Sequence, residues 1–214
     1  MSNGQAPYAI DAHGLGKRFG ARWVLRGVSL EVQRGEAVGL LGANGSGKST
    51  VLRILGTLLK ANAGTASVNG LDTLRDASAV RAQVGYLAHT PGLYEDLTAA
   101  ENLWFAADML GLPHAAAGGI LDRVGLAPVA RDRVRGFSAG MQRRLALARL
   151  LLRNPRVLLL DEPYSNLDAE GVDLMNATLA GIVQSGGAAL VALHELAPAK
   201  AMLARTLTLV DGRI

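Results

Sequence analysis

The sequence predicts an α/β fold: a mostly parallel sheet, a small antiparallel β layer beside it, and a helical subdomain inserted into it. Three observations predict this. The strand-like run Ala37 to Leu41 enters a glycine-rich turn and then a helical pattern in VGLLGANGSGKST, residues 38 to 50. A second apolar run, Val157 to Leu160, ends in two carboxylates in RVLLLDEP, residues 156 to 163. Short runs that are apolar throughout suit a sheet covered on both faces. Between them, over about residues 90 to 153, the pattern turns helical, and after it strands and helices alternate again.

In chain order, short strands around Ala9 to Ala12 and Val24 to Val32 come first, and TASVNGLD carries the hairpin pair Asn69-Gly70. These supply the antiparallel layer. The turn after Leu41 fills G-x-x-x-x-G-K-[ST] with Gly42, Gly47, Lys48 and Ser49, and a helix is expected over Thr50 to Leu59. Its glycines let Gly42, Ala43, Asn44, Gly45, Ser46 and Gly47 aim backbone N–H groups at phosphate oxygens, while the helix that follows from Thr50 presents its positive end. Lys48 then reaches the β- and γ-phosphates, and the Ser49 hydroxyl ligates Mg²⁺. The competing reading is a plain turn between strand and helix. The motif in this context predicts a P-loop NTPase with a RecA-like core.

Next, Thr98 and Glu101 form the spacing of a capping box that opens a helix to about Leu110, and Ala115 to Val124 reads as another. In RGFSAGMQRRLALARLLLRNP, residues 135 to 155, Met141, Leu145, Ala148, Leu151 and Leu152 mark a helical face that Asn154-Pro155 stops. Ser138 is its natural N-cap, and Ala139 and Gly140 leave the first turn open to an anion. Read alone, this is equally a capped surface helix with solvated arginines. In RVLLLDEP, a buried strand delivers Asp161 to hold Mg²⁺ through its water shell and Glu162 to take a proton from water. Without the glycine-rich turn upstream, it is as well a strand running into an acidic turn. Helix Ala169 to Gln184 and strands Ala188 to Leu193 and Thr206 to Val210 complete the sheet. The expected division is one domain, with residues 1–89 and 154–214 as core and 90–153 as helical subdomain.

At this point the sequence resembles the nucleotide-binding subunits of ABC transporters across nearly its whole length. GANGSGKST matches Walker A, FSAGM stands where the family has LSGGQ, VLLLDE matches Walker B, SNLD (165 to 168) the D-loop, and His194 in LVALHE the switch histidine. Phe19 falls where a family aromatic stacks on adenine. The resemblance implies ATP and Mg²⁺ as ligands and a head-to-tail pairing with a second ATP-binding subunit. Ser138, Ala139 and Gly140 of one copy then cap ATP on the other's P-loop. It also implies integral-membrane transporter subunits as partners and a peripheral place on the cytoplasmic face of the inner membrane. Two departures from the family stand out: Ala139-Gly140-Met141 replaces Gly-Gly-Gln, and His89 stands at the Q-loop glutamine. Histidine still donates or accepts through its ring, although it can also simply fill a loop.

LAHTPGLYEDLTAAENLWFAADMLGL and DEPYSNLD resemble, more narrowly, the ATP-binding subunit of cytochrome c biogenesis haem exporters. By resemblance, the aromatic-bearing segment Leu93 to Phe105 faces a short helix of the membrane partner, unless its residues are core. The alternatives are an exporter for drugs or lipids and a non-transport ABC ATPase. The rest of the composition bounds these readings. No cysteine is present among 214 residues, which excludes disulfides and thiolate sites. No apolar run reaches the 18 or so residues of a membrane span. MSNGQAPYAIDAHG has no basic segment followed by an apolar core, so no export signal is expected. A net charge of +4 is a weak pointer to polyanions, and no nucleic-acid partner is expected.

Overall fold

A computed structural model describes residues 8–214. Residues 1–7, part of the stretch read as lacking an export signal, lie outside the described residues. In chain order the elements are β1 (Tyr8–Phe19), β2 (Arg22–Gln33), β3 (Ala37–Leu41), α1 (Lys48–Leu55), β4 (Ala63–Val68), β5 (Leu71–Asp72), α2 (Ala77–Gln83) and β6 (Val84–Leu87). Then follow α3 (Ala99–Leu110), α4 (Ala115–Arg123), α5 (Ala139–Leu151), β7 (Val157–Asp161), α6 (Ala169–Gln184), β8 (Ala188–Leu193) and β9 (Arg205–Thr208).

The expected two-sheet organisation is present. An antiparallel sheet has the order β2-β1-β4-β5, and a parallel sheet has the order β6-β7-β8-β3-β9. Asn69 and Gly70 take φ values of 52° and 81° between β4 and β5, the left-handed pair of a two-residue hairpin. β7 and β8 are buried at every residue. Alternation along them feeds two cores. Leu159 and Leu190 face the antiparallel sheet and α1, whereas Leu158, Leu160 and Val191 face α5 and α6. A third core, with Leu103, Leu121 and Leu145 at its centre, holds α3, α4 and α5 together. Helix α5 therefore serves two cores: Leu145 and Ala148 point to the helical one, Ala146 and Leu150 to the sheet.

Several element bounds differ from the sequence reading for local reasons. β1 runs on past Ala12 to Phe19 because register shifts after Ala12 and Leu15 carry the ladder through a stretch where alternation breaks. α1 spans Lys48–Leu55 rather than Thr50 to Leu59, since Gly56 caps it and Thr57 turns left-handed at φ 60°. α2 was not legible, because Val80 is its one buried residue and no apolar stripe exists to read. The capping box forms as expected: Thr98 N–H donates to Glu101 Oε2 at 2.8 Å and Glu101 N–H to Thr98 Oγ1 at 3.2 Å.

Candidate functional site

The carboxyl ends of β3, β6, β7 and β8 meet at one end of the parallel sheet, where open α/β folds gather their ligand-binding groups. A cleft of about 560 Å³ lies there. Its walls are Asn44, Gly45, Gly47, Lys48, Ser49 and Thr50 from the β3–α1 loop, and His89 after β6. Asp161, Glu162 and Ser165 line it at β7, His194 after β8, and Arg22 and Val24 on β2.

The loop owes its shape to glycine at particular points. Gly47 has φ 112°, and a Cβ there would lie 2.7 Å from the Leu25 side chain, so conformation and space both exclude other residues. At Gly42 a Cβ would lie 2.6 Å from Ser46 Oγ. No side chain caps α1, so the N–H groups of its first turn stay available to an anion in the cleft. Lys48 is 6% exposed, and its Nζ donates to Gly42 O at 2.6 Å and Ala43 O at 3.2 Å. The same Nζ lies 3.9 Å from Glu162 Oε1.

Asp161, only 2% exposed, leaves Oδ2 buried with no hydrogen-bond partner. An unpaired buried carboxylate oxygen is costly, on the order of 1–3 kcal/mol or more, and calls for a cation. With the Ser49 hydroxyl on the same cleft, it makes an all-oxygen set of the sort Mg²⁺ takes. The residues therefore fit that ion.

Glu162 holds φ 52°, a left-handed conformation that costs a non-glycine residue on the order of 1 kcal/mol. From this turn its Oε2 reaches His194 Nδ1 at 2.6 Å. The bond to the carboxylate, and then its charge, raise the His194 pKa above the ordinary imidazole value; Glu195 adds to the rise and Lys48 opposes it.

Other sequence-predicted residues lie elsewhere. Phe19 ends β1, is 50% exposed, and does not line the cleft; Arg22, its register partner on β2, does. Ala43 and Ser46 border a neighbouring cavity with Trp23. Ser138, Ala139 and Gly140 begin α5 away from this cleft, with Ser138 Oγ accepting from Met141 N–H at 3.2 Å. Gly140 packs so closely on the loop after β7 that a Cβ would lie 2.9 Å from Asn166 O. Sequence reasoning missed Arg22 and also Arg143, which is 3% exposed and bonded to the loops after β6 and β7. The signal for Arg143 was its spacing of three, four and seven from Ala146, Leu147 and Leu150, all buried.

Comparison with known proteins places this geometry in context. Residues 25–165 match the protein family described as ABC transporter. The chain is 40% identical over 206 residues to the cytochrome c biogenesis ATP-binding export protein CcmA of Xanthomonas axonopodis pv. citri (strain 306), covering 95% of each. It is 38% identical to the daunorubicin resistance ATP-binding protein DrrA3 of Streptomyces coeruleorubidus, covering 98% of this chain and 67% of that protein. Among solved structures, it superposes on an ATP-binding subunit of an ABC transporter with a TM-score of 0.87 at 30% identity, covering 96% of this chain and 88% of that one. A TM-score of 0.85 at 27% identity, over 96% of both chains, relates it to the ATP-binding cassette MJ0796, solved as a dimer in a post-hydrolysis state bound to ADP and Pi.

Proposed function

Because this chain belongs to the ABC transporter family, as an ATP-hydrolysing, ATP-binding subunit, we propose that it powers haem export or haem handling in cytochrome c biogenesis. In this reading ATP lies in the cleft with its phosphates on Gly42 to Thr50, and Lys48 leaves the loop carbonyls for the β- and γ-phosphates. Ser49 and Asp161 hold Mg²⁺, which when bound neutralises developing charge on the phosphates. Glu162 accepts the proton of the attacking water, and His194, bonded to that carboxylate, fixes its aim. His89 reaches the same cleft from the Q-loop position. Phe19, the register partner of Arg22, stays the candidate for adenine stacking. The observation that carries the reading is the convergence of Lys48, Asp161, Glu162 and His194 on one cleft beside an uncapped helix end.

The other half of the site comes from a second copy. Ser138, Ala139 and Gly140 form a helix N-terminus that is not part of this chain's cleft lining, and a head-to-tail pair places it over the partner copy's γ-phosphate. Closure of the pair then excludes water and completes the catalytic set. Residues 90–153 act as the helical subdomain that carries this end. The known dimer of MJ0796 supports the pairing.

No helix among the described residues is long and apolar enough to cross a membrane. In the proposal, integral-membrane subunits do the crossing and this chain sits peripherally on the inner membrane's cytoplasmic face. They dock at a cleft of about 480 Å³ where α3 meets the sheet, rimmed by Leu58, Tyr94, Phe105 and Met109. Those four are 57%, 51%, 45% and 74% exposed, while Leu103 is core, so the aromatic-bearing stretch has an exposed side, with Tyr94 and Phe105, and a packing side. The cytochrome c reading rests on the 40% identity that runs along 95% of both chains, together with His89 and DEPYSNLD. The second reading, a drug exporter, rests on the 38% identity to DrrA3.

Copurification from the native host decides between them. Haem-exporter membrane subunits are the expected companions, and a drug permease in their place overturns the cytochrome c reading. For the cleft itself, Lys48→Ala is expected to weaken ATP binding at least tenfold, measured by isothermal titration. Undiminished affinity would remove the phosphate role.

A further inference from the structure

Arg143 sits in the second turn of α5, almost fully buried, and pairs with no carboxylate among the described residues. Instead it spends its guanidinium on backbone carbonyls. Nη1 donates to Ala88 O at 2.6 Å and His89 O at 3.1 Å, Nη2 to Asp161 O at 2.7 Å and to Glu162 O, and Nε to Pro163 O at 3.3 Å. All five acceptors belong to two segments, the loop after β6 and the end of β7. Burial pulls the Arg143 pKa down, while the charges of Asp161 and Glu162 oppose that. A guanidinium has enough donors in one rigid plane to hold two loops at once, which an ammonium does not.

The position of these bonds is informative. Glu162 sits in a left-handed turn, which persists only if its surroundings hold it. Arg143 grips the carbonyls before, within and after that turn. The same helix begins at Ser138, Ala139 and Gly140, about 4.5–7.5 Å away along its axis at the helical rise of about 1.5 Å per residue. Arg144, the next residue, bonds Asp168 at 2.6 Å in the loop that follows.

We propose that Arg143 is a positioning residue for hydrolysis: it fixes the Glu162 turn and the His89 loop to α5, so that the end of α5 meeting the second copy sets the aim of the general base. This rests on the reading of Glu162 as the base. A purely structural role would be felt in stability alone, so the test needs a readout at the Glu162 side chain.

His194 provides one, since its Nδ1 bonds Glu162 and the groups that set its titration are Glu162, Glu195 and Lys48. The chain has four histidines, His13, His89, His114 and His194, few enough to follow individually by NMR. Arg143→Lys and Arg143→Gln are to be compared with the natural chain in two experiments: histidine titration of the full chain without nucleotide, and steady-state kinetics of the complex with its membrane subunits. For at least one folded variant the expected result is kcat lower by at least tenfold, with KM for ATP within about threefold. The His194 midpoint should also fall toward that of free imidazole, with His13 and His114 unmoved. If no folded variant moves the His194 midpoint, or if every folded variant keeps kcat within twofold, the proposal is overturned. So does failure of both variants to fold, which marks Arg143 as a stability element alone. Absence of ATP hydrolysis in the natural complex would sink the functional reading instead, and the nucleotide-free titration would still decide Arg143.

Discussion

Glu162 combines a backbone strained at φ 52° with a carboxylate held 2.6 Å from His194 Nδ1, so its role is exposed to a single-atom change. Glu162→Gln keeps the shape and removes the proposed proton acceptor. Turnover should drop by at least a hundredfold, the scale of general-base loss, with ATP still bound and the paired state accumulating on size exclusion. Hydrolysis at the natural rate would remove Glu162 from the base role. The same substitution should lower the His194 pKa, because the carboxylate is the largest cause of its rise. The sign follows: His194 is raised in the folded state, so its pairing is complete below the ordinary value of about 6.5 and is lost as pH rises through the elevated value. An NMR midpoint equal to the natural chain's would contradict the pairing. At this scale the sequence was legible in placement: Lys48, Ser49, Asp161, Glu162 and His194, each singled out by a motif, line one cleft. It was not legible where a residue acts through backbone contacts across the chain. Arg143 bonds carbonyls of Ala88 and His89, 55 and 54 residues away, and no local pattern announces such partners.

Among elements, the β3–α1 loop depends most on one position. Gly47 is held left-handed at φ 112° with Leu25 packed 2.7 Å from where a Cβ would stand. Gly47→Ala should therefore cost about 1–3 kcal/mol of stability and abolish nucleotide binding, read by thermal melts with and without ATP. Retained ATP protection would show that the loop has another shape open to it. The strand–loop–helix pattern was visible because Gly and Lys spacing is local. The start of α1 was misplaced by two residues because helical geometry begins at the lysine itself. β1 was cut short because its bulges break the alternation that marks a strand, and α2 went unseen because one buried valine gives no period. The groove beside α3 is open to a sharper test. Met109 is 74% exposed, so Met109→Asp should shift Tm by less than about 2 °C while copurification with the membrane subunits is lost. A complex that survives the change would place the docking surface elsewhere.

For the whole molecule, the cleft and the α5 N-terminus are separate parts of one chain, and the proposed function joins them only between copies. That arrangement has a consequence no single-chain site shares. Lys48→Ala damages the cleft. Ala139→Asp leaves α5 intact, since Ala139 is exposed and an acidic residue suits a helix's first turn; it places a carboxylate where the partner copy's γ-phosphate would lie. Each variant alone should be inactive. Mixed in equal amounts and reassembled with the membrane subunits, they form heterodimers in which one composite site carries both lesions and the other carries none. If half the pairs are mixed and each has one working site, ATPase activity returns to about a quarter of the natural level. A site built within one chain cannot be rescued in this way, because every copy in the mixture carries a lesion. Activity that stays at the level of the separate variants therefore refutes the head-to-tail site, whatever the transported cargo turns out to be.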